Sequence, residues 1–534
     1  EPETLRAKER AFLDASRNAV ARGRRLRRAA VVLLPTIAVL IYGGIWLKGQ
    51  IELGRKIKDH VASADHKVEE AEELQRSADV LREQALGLFD SAKAAAAESL
   101  WEQYGGDMAR IDASLGQAGS ELESALVLDA SREDVRARLA EVLFKRMLVV
   151  EAMHEKRRLD EMQARLELYD VEGSLWRRWN APAALSVTSV PAGSVATLER
   201  YDTDAQGRRV PTFMRNIDTT EPGDLSLAAG SYRLIFQLPG HETVYYPLSV
   251  TRGEQLELAV TMPRKDTLPP GYAYIPAGRF LFGSVDVEQI RSFFVADPGR
   301  QVESGAYLIA RHEATNGEYI EFLEALTPEA RAARLGPEVA RWEAGLGLTQ
   351  LADGEWQFEL KIGEEVQTAL RGGKVRLPGE LGVDWLNLPV AGLTWFEAEA
   401  YVNWLDHSGK LPGAHLCSER EWERAARGAD DRNFPHGDVL EIGDANFGTQ
   451  QAGVDLAPST VGSYPLSESP FTVMDMAGSV VEWVSSHDDS SGKVSRGGGY
   501  LFDKSSAYTA NRGLLDPNIR IAKAGVRVCV TYSP

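Results

Sequence analysis

The sequence predicts a multidomain chain: one membrane-spanning helix, a helical segment, a small β module and a large C-terminal domain. Three observations carry this. At 534 residues the chain is too long for a single core. A 19-residue run without a charge, Ala29 to Leu47, stands near the N-terminus. Near Pro182 the apolar pattern changes from helical spacing to alternation. The net charge of −18 argues against nucleic acid as a partner, because phosphate binding needs clustered Lys and Arg.

The apolar run 29–47 is close to the ~20 residues needed to cross a bilayer. Arg22, Arg24, Arg25, Arg27 and Arg28 precede it, and Tyr42 and Trp46 lie near its far end. The positive-inside rule makes residues 1–28 a cytoplasmic basic juxtamembrane segment and puts the rest outside. The competing reading is a buried helix of a soluble protein, with Pro35, Gly43 and Gly44 in its favour. The only cysteines, Cys417 and Cys529, are too few for a disulfide framework or a Cys-only metal site. One bond between them and two ordinary thiols are both open.

Residues 48–181 read as helical. Val68, Ala71, Leu74, Ala78, Leu81 and Leu86 recur at helical spacing, with Gly105-Gly106 expected as a break. A helix is expected to end near Asp129, with Ser131 capping the next, and the piece resembles a degenerate tetratricopeptide hairpin. A spacer or packing bundle is favoured over a peptide groove. His60 and His66 are six apart and do not share a helix face, and His154 stands alone.

Residues 182–263 alternate and carry turn residues at Pro191-Ala192-Gly193 and Pro239-Gly240. The pieces SVPAGSV at 189–195, LAAGSYRL at 227–234 and PGHETVYYPL at 239–248 resemble the PEGA family of bacterial surface β-sandwiches. His241 stands where that family usually has Tyr. The resemblance implies a spacer or adhesive module outside the cytoplasm. A linker, PRKDTLPP, spans Pro263 to Pro270.

Residues 271–534 carry a series of motifs. In order they are GYAYIPAGRFLFGS, YLIARHEATNGEYIEFL, LPVAGLTWFEAEAYVNWL, HLCSEREWERAARG, MDMAGSVVEWV, RGGGY, ANRG and GVRVC. Ser418 and Glu421 form a capping-box pattern, and Trp422 and Trp483 are expected in the core. This series resembles the formylglycine-generating-enzyme (sulfatase-modifying factor) family. The resemblance implies a C-type-lectin-like α+β fold.

It also implies a calcium site at Asp475, Gly478, Val480 and Glu482, where carboxylates and carbonyls meet around a glycine turn. Asn446 and Asp455 are expected to serve a second one. In the authentic enzymes two cysteines, five residues apart, bind copper, since thiolates suit Cu(I). Those positions are Phe502 and Ala507 here, so no copper is expected. A related branch uses non-haem iron held by histidines of an attached helical domain, and the helices here lack that set, so no iron is expected. Neither a G-x-S-x-G nor a Gly-rich phosphate loop is present. His415, His436 and the polar loop His487-Asp488-Asp489 are scattered.

Tyr500, Phe502, Tyr508, Asn511 and Arg512 are therefore expected either as ligand contacts or as locks of the fold, aromatics and Arg being the usual hot-spot residues. The leading reading is a non-catalytic, calcium-binding sensor or effector of a bacterial membrane signalling protein. It would bind a protein or small-molecule ligand. It would cross the inner membrane once, with the N-terminus cytoplasmic and the C-terminal domains extracytoplasmic. The opening segment resembles the juxtamembrane end of signalling proteins with an upstream kinase or STAND NTPase domain. The alternatives are a metal-dependent oxidoreductase of the formylglycine-generating or non-haem iron type, and a soluble cytoplasmic signalling or defence effector.

Overall fold

The computed structural model describes residues 7–91, 93–220, 223–335, 344–362, 365–378, 380–448, 457–486, 492–521 and 523–533. The chain divides into two compact units, 1–79 with 104–175, and 80–103 with 176–534.

The first unit is helical. Its helices are α1 (Ala7–Asp90), α2 (Ala94–Leu128), α3 (Glu133–Ala152) and α4 (Lys156–Tyr169); α1 and α2 also reach into the second unit. On α1, Ile57, Ala64, Ala71 and Ala78 are buried at every seventh position. This heptad seam of small residues lets the neighbouring helices approach closely. The larger Val68, Leu74 and Leu81 flank it half-buried. His60 contacts Glu121 on α2, and Arg138 and Lys145 on α3 reach Asp65 and Glu72.

Two local expectations are corrected here. Helix α2 runs unbroken through Gly105-Gly106. Each glycine costs about 1 kcal/mol in a helix, and the buried face of Tyr104, Met108, Ile111 and Leu115 outweighs that. Ser131 does not cap α3. Arg132 holds the N-cap position, and Asp129 accepts bonds from the Ser131 N–H and hydroxyl, closing a tight turn.

The apolar segment lies within α1. It contains an 18-residue window of mean hydropathy 2.2 that is wholly unburied. The helix is long and apolar enough to cross a membrane.

The second unit begins its β structure where the period changes. Strands Ala183–Val190, Leu225–Leu227 and Gln255–Thr261 form one sheet; Val195–Thr203, Arg209–Asp218, Gly230–Gln237 and Val244–Val250 form another. Leu185, Val187, Leu198, Leu234, Phe236 and Leu248 point inward from alternate positions and share one core. Polar bonds tie this module to the C-terminal domain: Arg208 to Asp444 at 2.6 Å, Arg209 to Asp438 at 3.0 Å, and Ser231 to Asp430 at 2.5 Å.

The C-terminal domain contains two four-stranded sheets that position the loop of interest. In one, Val528–Thr531 lies between Ala414–Leu416 and Tyr307–Ala310, with Tyr272–Ile275 outermost. In the other, Lys493–Arg496 lies between Gly513–Leu515 and Val481–Trp483, and Ala524–Val526 pairs parallel to the last of these. The helix Glu419–Arg427 opens with the expected capping box at Ser418 and Glu421. Trp422 and Trp483 are fully buried. An antiparallel meander, Ala344–Gln350, Trp356–Ile362 and Glu365–Leu370, packs Phe358 flat on Trp385 with ring centres 5.2 Å apart.

Candidate ligand loop and buried carboxylate centre

The loop 497–512 closes the antiparallel pair Lys493–Arg496 and Gly513–Leu515. Gly497 and Gly498 have φ of 92° and 72°, where L side chains are strained. A Cβ on Gly498 would also meet the Ala507 nitrogen at 2.8 Å. Arg496 lies beneath, fully buried. It donates to the Ala510 and Asn511 carbonyls at 3.1 and 2.9 Å and pairs with Glu423. The turn is thus held by a buried arginine reading the carbonyls of its far side.

The expected ligand contacts divide. Tyr500 is wholly buried against Val480, and its hydroxyl has no hydrogen-bond partner among the described residues. Asn511 donates to the Ser506 carbonyl at 2.8 Å. Arg512 makes a two-pronged pair with Glu419 at 2.6 and 2.9 Å. Both residues hold the loop. Tyr508 stacks on Phe294 and meets Phe434 at a tilt, with ring centres 4.7 and 4.8 Å away. Phe502 is half-buried, and the Lys523 ammonium sits 3.1 Å from its ring centre. Burial lowers the Lys523 pKa to about 8. Sequence reasoning missed Lys523, because nothing local shows that position 523 returns to position 502.

Phe502 and Ala507 occupy the two positions at which the family resemblance places sulfur. Ala507 is fully buried with Phe434, Phe447 and Ala477. The chain's two cysteines are bonded to each other, Cys417 to Cys529. Neither thiol is free to replace a missing ligand, so the residues present do not fit a dithiolate copper site.

The expected calcium residues lie on a strained turn. Asp475, Gly478 and Ser479 have φ of 57°, 81° and 61°. The Gly478 N–H donates to the Gly497 carbonyl and the Ser479 N–H to the Asn446 carbonyl, both at 2.7 Å. The Asn446 side-chain NH2 donates to the Ala457 carbonyl at 3.0 Å and to the Ser459 hydroxyl at 2.8 Å. Asp475 accepts the Gly462 N–H at 2.5 Å. Val480 is core. Glu482 is saturated: Arg527 donates to it at 2.7 and 3.0 Å, and the Trp422 indole N–H at 2.6 Å.

Guanidinium and indole protons thus take the Glu482 oxygens. Among the described residues, no three His, Cys, Asp or Glu side chains are placed to hold a metal. Asp455 and the His487-Asp488-Asp489 loop lie outside the described residues.

What the turn does assemble is a buried carboxylate centre. Glu313 is fully buried and neither carboxyl oxygen has a conventional donor. It lies 4.0 Å from Arg527. Arg527 thus faces three carboxyls: Glu482, Glu313 and Asp475. One cation cannot neutralise three anions in an apolar interior, so a proton kept on Glu313 is the stable arrangement. Burial, with the neighbouring carboxylates, drives Glu313 well above the ordinary range, and burial also raises Asp475.

The sign follows from proton linkage. A carboxyl with a raised native pKa contributes stability that is fully present below its unfolded pKa. That stability is lost as pH rises from there through the native pKa. Glu313→Gln keeps a neutral hydrogen-bonding group and removes the titration. Its melting temperature relative to the parent should therefore rise steadily from mildly acidic to alkaline pH. A difference that does not change with pH would contradict a protonated Glu313.

A family model for the sulfatase-modifying factor enzyme 1-like domain matches residues 257–532, more than half of the chain. The chain belongs to this family. The hercynine oxygenase of Mycolicibacterium smegmatis is 29% identical over 267 residues, covering 46% of this chain and 53% of that relative. The formylglycine-generating enzyme of Thermomonospora curvata is 26% identical over 239 residues, covering 42% of this chain and 74% of that relative. The solved structure of PvdO from Pseudomonas aeruginosa aligns with a TM-score of 0.36 at 23% identity, over 49% of this chain and 94% of that one. The chain spans about half the length of the hercynine oxygenases it matches.

Proposed function

We propose that the C-terminal domain is a non-catalytic member of its family that binds a protein or small-molecule ligand outside the cytoplasm. One observation carries this: Phe502 and Ala507 stand where paired thiols would be needed, and the only two cysteines are joined to each other. Phe502 and Lys523 supply an aromatic face beside a half-buried amine, which is equipment for recognition. The relatives named as an oxygenase and a formylglycine-generating enzyme support the rival reading, a metal-dependent oxidoreductase. Aerobic incubation of the purified protein with Cu(I) or Fe(II) and a peptide thiol decides between them. The expected result is oxygen uptake no faster than metal alone, and protein-dependent turnover would sink the proposal.

The same reading assigns residues 29–47 to a single membrane span, with Arg22 to Arg28 on the cytoplasmic side. A disulfide suits an oxidising compartment and supports an extracytoplasmic C-terminal domain. The strands at 183–261 serve as a PEGA-like spacer between membrane and ligand. The preceding helices are packing elements, and any kinase or STAND NTPase partner would act on the cytoplasmic side.

A further inference from the structure

A small pocket of about 50 Å³ lies in the second unit, away from Phe502 and Lys523. Phe282 forms one wall, and the guanidinium carbons of Arg300 and Arg420 sit 5.3 and 5.7 Å from its ring centre. Both arginines donate through Nη2 to a single oxygen, Oδ1 of Asp90, at 2.5 and 2.6 Å. Asp90 is the last residue of α1, and its side chain is 47% exposed. Arg300 is only 6% exposed, and its Nε has no partner. Its other acceptors are distant, Asp297 at 3.3 Å and the Pro298 carbonyl at 3.5 Å. A third arginine, Arg512, also lines the pocket and is paired with Glu419.

The charges are informative. Among the described residues that line the pocket, without Asp90, Arg300, Arg420 and Arg512 face Asp297 and Glu419, leaving one cation in excess. Asp90 fills that deficit with one oxygen from the rim, and Arg300 still has an unused buried donor. Guanidinium groups prefer two-pronged, planar carboxylate partners, and Asp90 does not provide that to either arginine.

We propose that this pocket is a carboxylate-binding site, that Asp90 is its internal occupant, and that an acidic peptide is the ligand that displaces it. The inference goes beyond the function proposed above and does not depend on it, because it concerns different residues. A tethered carboxylate competes at high effective concentration, so an external ligand binds the parent protein only in proportion to the open fraction.

The test uses the full chain in detergent micelles and a capped tetra-aspartate peptide, followed by calorimetric titration. The parent should bind weakly. Asp90→Ala should bind about tenfold tighter or more, since removing the internal competitor restores the intrinsic affinity. Asp90→Ala combined with Arg420→Ala should lose that gain. Arg420 is 35% exposed on its side chain, so truncating it leaves the core intact. If Asp90→Ala does not fold, Asp90→Asn carries the same expectation. Equal affinity in the parent and the Asp90 variant overturns the proposal, as does a gain that survives loss of Arg420. Acetate binding without peptide binding in Asp90→Ala overturns it too, by confining the arginine pair to a structural role.

Discussion

Replacing Arg527 by methionine should destabilise the C-terminal domain by about 3–5 kcal/mol, the usual cost of stranding a buried charge. Arg527 is fully buried and joins three separate parts of the fold. It pairs with Glu482 and donates to the carbonyls of Ala310 and Met474 at 3.0 and 3.1 Å. Methionine roughly fills the volume, so the loss is electrostatic. Glu482 would be left with Trp422 alone, beside the Glu313–Asp475 pair and with no cation near. Urea unfolding followed by tryptophan fluorescence measures the effect. Adding Glu482→Gln to Arg527→Met should recover part of the loss, because the stranded charge is removed. A single-variant cost under about 1 kcal/mol would contradict the role assigned to this centre.

Breaking the Cys417–Cys529 bond is the second large effect. The bond spans 112 residues and links the approach to the Glu419–Arg427 helix with the strand Val528–Thr531. Closing a loop of that length restricts the unfolded chain by roughly 4–5 kcal/mol in the chain-entropy view. The double variant Cys417→Ala, Cys529→Ala should lose a comparable amount, measured by urea unfolding against the oxidised parent. The parent under strong reductant should move in the same direction. No change in either experiment would mean that the bond does not form in the folded protein, and would remove one support for an oxidising compartment.

Much of the frame was legible in the sequence. The Ser418–Glu421 pattern gave a capped helix because its signal is local, confined to one turn. Trp422 and Trp483 were readable as core from apolar spacing. The change of period near Pro182 marked the first strand to within a few residues. What failed depended on distant partners. Tyr500 resembles a surface contact in sequence and is buried only because Val480 packs on it. Glu482 resembles a cation ligand until Arg527 arrives from 45 residues away. Lys523 and Asp90 gain meaning only from Phe502, Arg300 and Arg420, which no periodicity connects. The meander at 344–370 was not anticipated, although Trp356–Ile362 alternates apolar residues with Gln, Glu and Lys and Asp353-Gly354 marks a turn before it.

The loop RGGGYLFDKSSAYTANRG keeps the glycines and the arginine that shape the family's turn while lacking its paired sulfurs. A Cu(I) competition titration tests this most directly, comparing the parent with a variant carrying Phe502→Cys and Ala507→Cys. If the frame is intact and only the ligands are missing, the parent should fail to withdraw Cu(I) from a thiol-class chelator, and the double variant should succeed. Tight Cu(I) binding by the parent, with its Cys417–Cys529 bond intact, would contradict the account.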